Sequence, residues 1–292
     1  MADTLNIKTI LKKHGLRPKK SWSQNFLVDL SVLARIVDAA ELDSDDVVVE
    51  LGAGLGALTA MLAKDAGKVI AVERDRDLAK VLMSEFAADN KVEILEADAV
   101  RLNWNELLAR MEKPPVVVGN LPYHIASQII FSLLDVGTGL NRWLVMVQRE
   151  MAVRMVAGPG GKDYGVMSIH LQMHADVETI LDVPPEAFIP SPRVQSRVVK
   201  CRPLDAPRVS VKDMKLFRRV VRAVFSQRRK QIRNSLRANF GGILSDTLLD
   251  EALVQAEIQP TMRPEQLKLE EFGALSDALL ARLEHGRGWR HQ

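Results

Sequence analysis

One cysteine in 292 residues, Cys201, rules out a disulfide framework. Such scarcity fits a reducing cytoplasm, and the lone thiol reads as a small core hydrophobe. No apolar run approaches membrane-spanning length, and the N-terminus lacks the basic, apolar and small-residue succession of a secretory signal. These absences predict a cytoplasmic protein with no membrane partner. There is no fixed-period repeat and no low-complexity tract. Net charge is small, +3 from 40 basic and 37 acidic residues, yet the pI is about 9.0 and the basic excess is unevenly spread.

What is present is ordinary globular material, 47% hydrophobic and 26% charged. The chain is long enough for a sizeable core and two domains. Residues 4–14 suit a short amphipathic helix, followed by the irregular basic lead-in RPKKSWSQNFLVD. From Asp46, strand and helix signals alternate. VVVEL (47–51), KVIAVE (68–73), VEIL (92–95), PPVVVGN (114–120) and LVMVQ (144–148) read as strands with helical patterns between them. This alternation predicts an α/β fold, a parallel sheet with helices on both faces. ETILDV and SRVVKCR (196–202) read as two further strands joined through the Pro-rich PPEAFIPSP, a hairpin added to the sheet. RPLDAPRVS (202–210) is the expected boundary, beyond which the pattern is helical. The expected division is a nucleotide-type α/β domain over 1–205 and a small helical domain over 206–292.

ELGAGLGALT (50–59) follows the first strand and opens a helix, where Gly52, Gly54 and Gly56 let the backbone approach a ligand closely. Gly52, Gly54 and Ala57 also satisfy the pattern of dinucleotide enzymes, with Glu73 lying 21 residues after Gly52. The loop alone therefore points to a nucleotide-like cofactor and no further; a tight turn serving only helix packing has the same look. Glu73 closes the second strand, where its carboxylate can accept from ribose hydroxyls. Asp98 closes the third and can accept from an adenine amine. Either acid alone reads as a turn residue or helix cap. Two at successive carboxyl strand ends, with Glu50 beside them, favour an adenosine pocket.

VVVGNLPYHIASQII (116–130) ends a buried strand in Asn120, Leu121, Pro122 and Tyr123. The carboxyl edge of an open α/β sheet is where ligands bind. An exocyclic adenine amine is a poor nucleophile, because its lone pair is delocalised into the ring. The side-chain oxygen of Asn120 and the backbone oxygen of Leu121 are suited to grip its hydrogens and localise that pair. Pro122 pushes Leu121 into an extended conformation and brings no competing N–H. Tyr123 offers a flat face for an extruded base. This chemistry needs neither a general base nor a metal. The plainer reading is an Asx-type turn into a helix; the glycine loop and acid pair, in this order, favour the functional one.

These motifs resemble the ribosomal RNA adenine dimethyltransferase family over nearly the whole chain. SQNFL (23–27), ELGAGLGALT, AVERD, EADAV, GNLPYHIAS, AFIPSPRVQS and FSQRRKQIRNSL occur in family order. The resemblance implies a Rossmann-like, seven-stranded methyltransferase sheet with one antiparallel strand, and S-adenosylmethionine as cofactor. It also implies that Asn25, Leu27, Gly52, Gly54, Glu73, Asp98 and Asn120 contact the donor, with Gln24 nearby. GNLPYHI, the FSQRRKQIRNSL block and RPEQLKLEEFGAL are more similar to the branch that dimethylates two adjacent adenines near the 3′ end of small-subunit RNA than to the large-subunit resistance branch. Gln195 departs from the acid expected there, at no catalytic step. In the same light, Phe188, in a Pro-rigid loop, is expected to sandwich the target base opposite Tyr123 rather than plug a core. Trp22 suits either the donor pocket or a hydrophobic anchor.

Residues 214–238 contain nine Lys or Arg and no acid, with Val220, Val221, Val224 and Phe225 as an inward apolar stripe. An all-positive face suggests phosphate contact. Arg218, Arg222, Arg228, Arg229, Lys230 and Arg233 are the expected RNA contacts, with Lys19, Lys20, Arg193 and Arg197 extending the track. The expectation is thus a monomeric enzyme acting on small-subunit rRNA in a partly assembled ribosomal subunit. An NAD-dependent dehydrogenase shares the glycine loop but leaves Asn120–Tyr123 and the basic helix unexplained. A non-enzymatic assembly factor would keep a vestigial pocket. RNA over DNA rests on the resemblance alone.

Overall fold

The structure, a computed structural model, describes residues 7–18 and 24–285. It begins with α1 (Ile7–Lys13) and a two-residue strand, β1 (Phe26–Leu27). α2 (Leu30–Ala40) is capped by Asp29, whose carboxylate accepts from the Ser31 N–H at 2.9 Å and the Val32 N–H at 3.2 Å. The alternating elements follow: β2 (Val47–Leu51), α3 (Ala57–Asp65), β3 (Lys68–Glu73), α4 (Arg76–Glu85), β4 (Val92–Glu96), α5 (Trp104–Leu108), β5 (Val116–Asn120), α6 (Ala126–Val136) and β6 (Arg142–Gln148). β2, β3, β5 and β6 are buried along nearly their whole length, which explains why they read as continuous apolar runs rather than alternating ones. Beyond β6 come α7 (Arg149–Val156), α8 (Val166–His174), β7 (Ala175–Val183), β8 (Phe188–Ile189) and β9 (Ser196–Pro203).

Seven strands form one sheet in the order β4-β3-β2-β5-β6-β9-β7. The β4-β3-β2-β5-β6 portion is parallel, and β9 runs antiparallel to β6, with Gln148 opposite Ser196 and Trp143 opposite Cys201. The chain steps outward from β2 through β3 to β4, then returns to β5 on the other side of β2. That reversal makes a topological switch point at the carboxyl ends of β2 and β5. The structure adds a pairing the sequence did not suggest: β1 lies antiparallel to β8, Leu27 opposite Phe188. Arg142 holds the end of α2: its Nε donates to the Ala40 carbonyl at 2.6 Å and its Nη2 to the Glu41 carbonyl at 2.5 Å. Cys201 is fully buried, as a small hydrophobe would be.

The chain divides into two compact units. One takes the chain up to Ala152 together with Asp176–Asp205; the other takes Val153–Ala175 and everything from Ala206 onward. The second cut follows Asp205, within RPLDAPRVS, and Val153–Ala175 groups with the helical residues. The reason is packing: Tyr164, Ile169 and Met173 share one buried cluster with Leu216, Phe217, Val220 and Val224. Those four lie on α9 (Met214–Phe225), which precedes α10 (Ile232–Phe240), α11 (Asp246–Gln255) and α12 (Leu269–His285). Asp213 caps α9, accepting from the Leu216 N–H at 2.9 Å. Phe225 stacks on Phe272 with ring centroids 5.9 Å apart.

Candidate active site

The three glycines of the β2–α3 loop have positive φ, +78° at Gly52, +61° at Gly54 and +83° at Gly56, a region L-residues rarely enter. A Cβ at Gly52 would stand 3.3 Å from the backbone oxygen of Asn120, and one at Gly54 3.3 Å from the Phe26 ring. Glycine is therefore what lets the loop after β2 lie against the turn after β5. Together they bound a cavity of about 350 Å³, within the roughly 300–1,000 Å³ of small-ligand sites.

All eight residues expected at the donor line this cavity: Gln24, Asn25, Leu27, Gly52, Gly54, Glu73, Asp98 and Asn120. Leu121, Pro122 and Tyr123 line it too. Glu73, the last residue of β3, accepts the Gly54 N–H on one oxygen and the Asp75 N–H on the other, both at 2.8 Å. A carboxylate has about four lone-pair sites, so each oxygen retains acceptor capacity toward the cavity. Glu50 is buried and accepts from the Thr59 hydroxyl at 2.5 Å. Burial pushes its carboxyl up to about 7, against the Thr59 hydrogen bond and with the Glu73 charge adding to the rise. Burial raises Glu73 as well. Neither acid has an ion-pair partner among the described residues. Asp98 caps a short 3₁₀ turn through the Val100 N–H at 3.0 Å, leaving its other oxygen 3.5 Å from Arg74.

Asn120 is oriented by its own amide. Its Nδ2 donates to the Asn25 carbonyl at 3.3 Å, which leaves Oδ1 as the acceptor. Leu121 continues the ladder, its N–H donating to the Met146 carbonyl at 3.1 Å, and the Pro122 carbonyl closes a turn with the Ile125 N–H at 3.1 Å. The Tyr123 hydroxyl lies 2.7 Å from the Ser196 hydroxyl, so the ring is tethered to β9.

Phe188 stands elsewhere. It is only 3% exposed, packs in the core cluster with Leu27, Val183 and Ala187, and does not line the cavity. Phe188 pairs with Leu27 across β1 and β8, in the loop expected to face Tyr123. Four residues the sequence reading passed over support the site: Thr59 on Glu50, Ser196 on Tyr123, Arg74 beside Asp98, and Asp75. Asp75 caps α4 and accepts from Gln24 Nε2 at 2.8 Å. Only Asp75 carried a local signal, an acid immediately before a helical pattern.

The basic residues also make contacts within the protein. Arg233 is held bidentately by Asp250 at 2.5 and 2.7 Å, and Arg237 lies 3.3 Å from Asp246. Arg228 donates to the backbone carbonyls of Lys162 at 2.6 Å and Tyr164 at 2.7 Å. A stretch free of acids in sequence is thus paired by acids from α11, and Arg233 and Arg228 are engaged within the protein. In the other unit Arg197 is likewise bidentate with Asp182, at 2.6 and 2.9 Å. Arg229, Lys230 and Arg193 are exposed. Lys19, Lys20 and Trp22 lie outside the described residues.

Comparison with known proteins gives a consistent result. A protein named ribosomal RNA small subunit methyltransferase A from Bacillus mycoides is 41% identical over 277 residues, covering 94% of this chain and 95% of the relative. Its namesake from Geobacter metallireducens is 42% identical over 272 residues, covering 93% and 98%. Among solved structures, a dimethyladenosine transferase from Plasmodium falciparum shares the fold, with a TM-score of 0.75 at 24% identity over 86% of this chain and 95% of the other. The 23S rRNA methyltransferase ErmE aligns with a TM-score of 0.68 at 25% identity, over 87% and 99%. The model of the ribosomal RNA adenine dimethylase family matches residues 15–277, and the chain belongs to that family.

Proposed function

We propose that the protein transfers methyl groups from S-adenosylmethionine to N6 of two adjacent adenosines near the 3′ end of small-subunit ribosomal RNA. Asn120 carries the reading: it ends β5 at the switch point, with its Nδ2 committed to Asn25 and its Oδ1 left to accept from an amine. The cavity beside it suits the donor. Glu73 and Asp98 offer acceptors at successive strand ends, the glycine loop leaves the space side chains would fill, and the two buried acids Glu50 and Glu73 have no cationic partner among the described residues. Bound there, S-adenosylmethionine supplies an electrophilic methyl carbon on a sulfonium.

The remaining work falls to the chain's own residues. Oδ1 of Asn120 and the carbonyl of Leu121 accept from the adenine amine, localising the lone pair on nitrogen. The nitrogen becomes acidic once alkylated and gives its proton to solvent, so no base is required. The Tyr123 ring, fixed by Ser196, stacks the extruded base, worth ~1–3 kcal/mol. The small subunit is favoured over the large because relatives bearing the small-subunit name are 41–42% identical, against 25% for the 23S enzyme.

The substrate is a partly assembled subunit, and the enzyme is a cytoplasmic monomer. No helix among the described residues is long and apolar enough to cross a membrane. Arg218, Arg222, Arg228, Arg229, Lys230 and Arg233 contact RNA phosphates; Arg228 and Arg233 also hold groups of the protein itself. Mass spectrometry of ribosomal RNA from cells with and without the protein tests the reading. Two dimethyladenosines should vanish from the small-subunit RNA, and their persistence would refute it.

A further inference from the structure

Tyr123 is anchored at both ends. Its backbone lies in the turn that the Pro122 carbonyl closes with the Ile125 N–H at 3.1 Å. Its hydroxyl lies 2.7 Å from that of Ser196, the fully buried first residue of β9. Ser196 stands opposite Gln148 in the β6–β9 pairing, and the Arg149 N–H donates to the neighbouring Gln195 carbonyl at 2.9 Å. The anchor is thus part of the sheet. The Ser196 side chain has no second hydrogen-bond partner among the described residues. Burial pushes the Tyr123 phenol up from its ordinary pKa, against the Ser196 bond, so it keeps a proton to donate. A phenol oxygen sits on the long axis of its ring. The bond to Ser196 therefore fixes the tilt of the ring, which χ1 would otherwise leave among three staggered wells.

On the methyltransferase reading above, that tilt matters unequally in the two transfers to one nitrogen. In each, the N6 lone pair bonds to the donor's methyl carbon, the C–S pair returns to sulfur, and one proton leaves nitrogen for solvent. The first substrate has two N–H hydrogens, one for Asn120 Oδ1 and one for the Leu121 carbonyl. Its monomethyl product has one. An acceptor then faces a methyl group that cannot donate, so the base is held by fewer directional contacts and leans more on its stacking against Tyr123. We propose that Ser196 is a positioning residue for the second transfer. By fixing the tilt of Tyr123, it decides whether the enzyme finishes at dimethyladenosine or stops at monomethyladenosine. Ser196 does not line the cavity, so it acts through Tyr123 alone.

The test supplies the full protein with S-adenosylmethionine and small ribosomal subunits from cells that lack it. Mass spectrometry reads monomethyl- and dimethyladenosine at equal consumption of adenosine, so that a uniform slowing of both steps leaves the ratio unchanged. Ser196→Ala should raise the ratio of monomethyl to dimethyl product by about tenfold or more, since an ångström of misplacement can cost about a hundredfold in rate. Donor affinity by calorimetry should stay unchanged. Tyr123→Phe keeps the stacking face and removes the same bond from the other side. It should give the same shift, and the double variant no more than either single one. Tyr123→Phe also carries the test alone if the Ser196→Ala protein fails to fold. An unchanged product ratio in either folded variant, or additive effects in the double variant, overturns the role. Weakened donor binding by Ser196→Ala overturns it too, as a general defect of the site. Each of these results leaves dimethylation by the wild type intact. If the wild-type protein makes no dimethyladenosine, the enzymatic reading falls and the role of Ser196 with it.

Discussion

Glu73 and Asn120 stand at the ends of β3 and β5, on opposite sides of β2, and substitution should separate their roles. Glu73→Ala is expected to weaken S-adenosylmethionine binding at least tenfold in calorimetry, about 1.4 kcal/mol, the scale of a charged hydrogen bond. Because Glu73 also holds the Gly54 and Asp75 N–H groups, its variant needs a melting curve beside the titration. Asn120→Ala should keep donor affinity within severalfold yet nearly abolish single-turnover methyl transfer, since the lost acceptor acts on the reacting amine. Glu50 makes a pH-dependent case. Its folded-state carboxyl titrates near 7, above the usual 4.5, so its contribution to stability is full below pH 4.5 and is lost as pH rises through 7. Glu50→Gln keeps an acceptor for Thr59 and should therefore stabilise the donor-free protein at pH 8 by up to a few kcal/mol, with little gain at pH 5, as read from urea midpoints.

At the scale of elements, α8 carries a second buried titration. His170 lies edge-on to Phe217 of α9, ring centroids 6.3 Å apart. Burial first, then the charges of Arg218 and Arg222, hold its imidazole down to about 4. An unfolded chain takes up this proton below about 6.5, so stability is lost as pH falls from there toward 4. His170→Leu should flatten that acid limb of the urea midpoint, measured by circular dichroism between pH 7 and pH 4.5; an unchanged limb would mean His170 is not what responds. The strands were the most legible elements because β2, β3, β5 and β6 are buried on both faces, which leaves a run of β-branched residues. β1 and β8 were not legible, since two residues carry no period, so the burial of Phe188 beside Leu27 could not be foreseen. α8 has ordinary helical patterning and nothing local to say which core it joins. Ser196 and Thr59 were invisible for a related reason: a hydroxyl becomes informative only when the fold brings its partner, 73 residues away in one case and 9 in the other.

Across the whole molecule, charge is divided more sharply than a net of +3 suggests. The helical unit carries 18 Lys and Arg against 11 Asp and Glu, the α/β unit 22 against 26. RNA affinity should accordingly fall steeply with salt. The acids of α11 give this surface a further property. Asp246 and Asp250 occupy Arg237 and Arg233 as built-in counterions, ones that cannot diffuse away when a polyanion arrives. Such tethered anions shrink the number of ions the protein sheds on binding, and so temper its appetite for any nucleic acid that drifts past. Asp246→Asn with Asp250→Asn would unmask two cations. The variant should hold an unrelated RNA duplex more tightly at low salt, with a slope steeper by about 1.4–1.8. Discrimination on this surface would then owe as much to the cations the fold withholds as to those it displays.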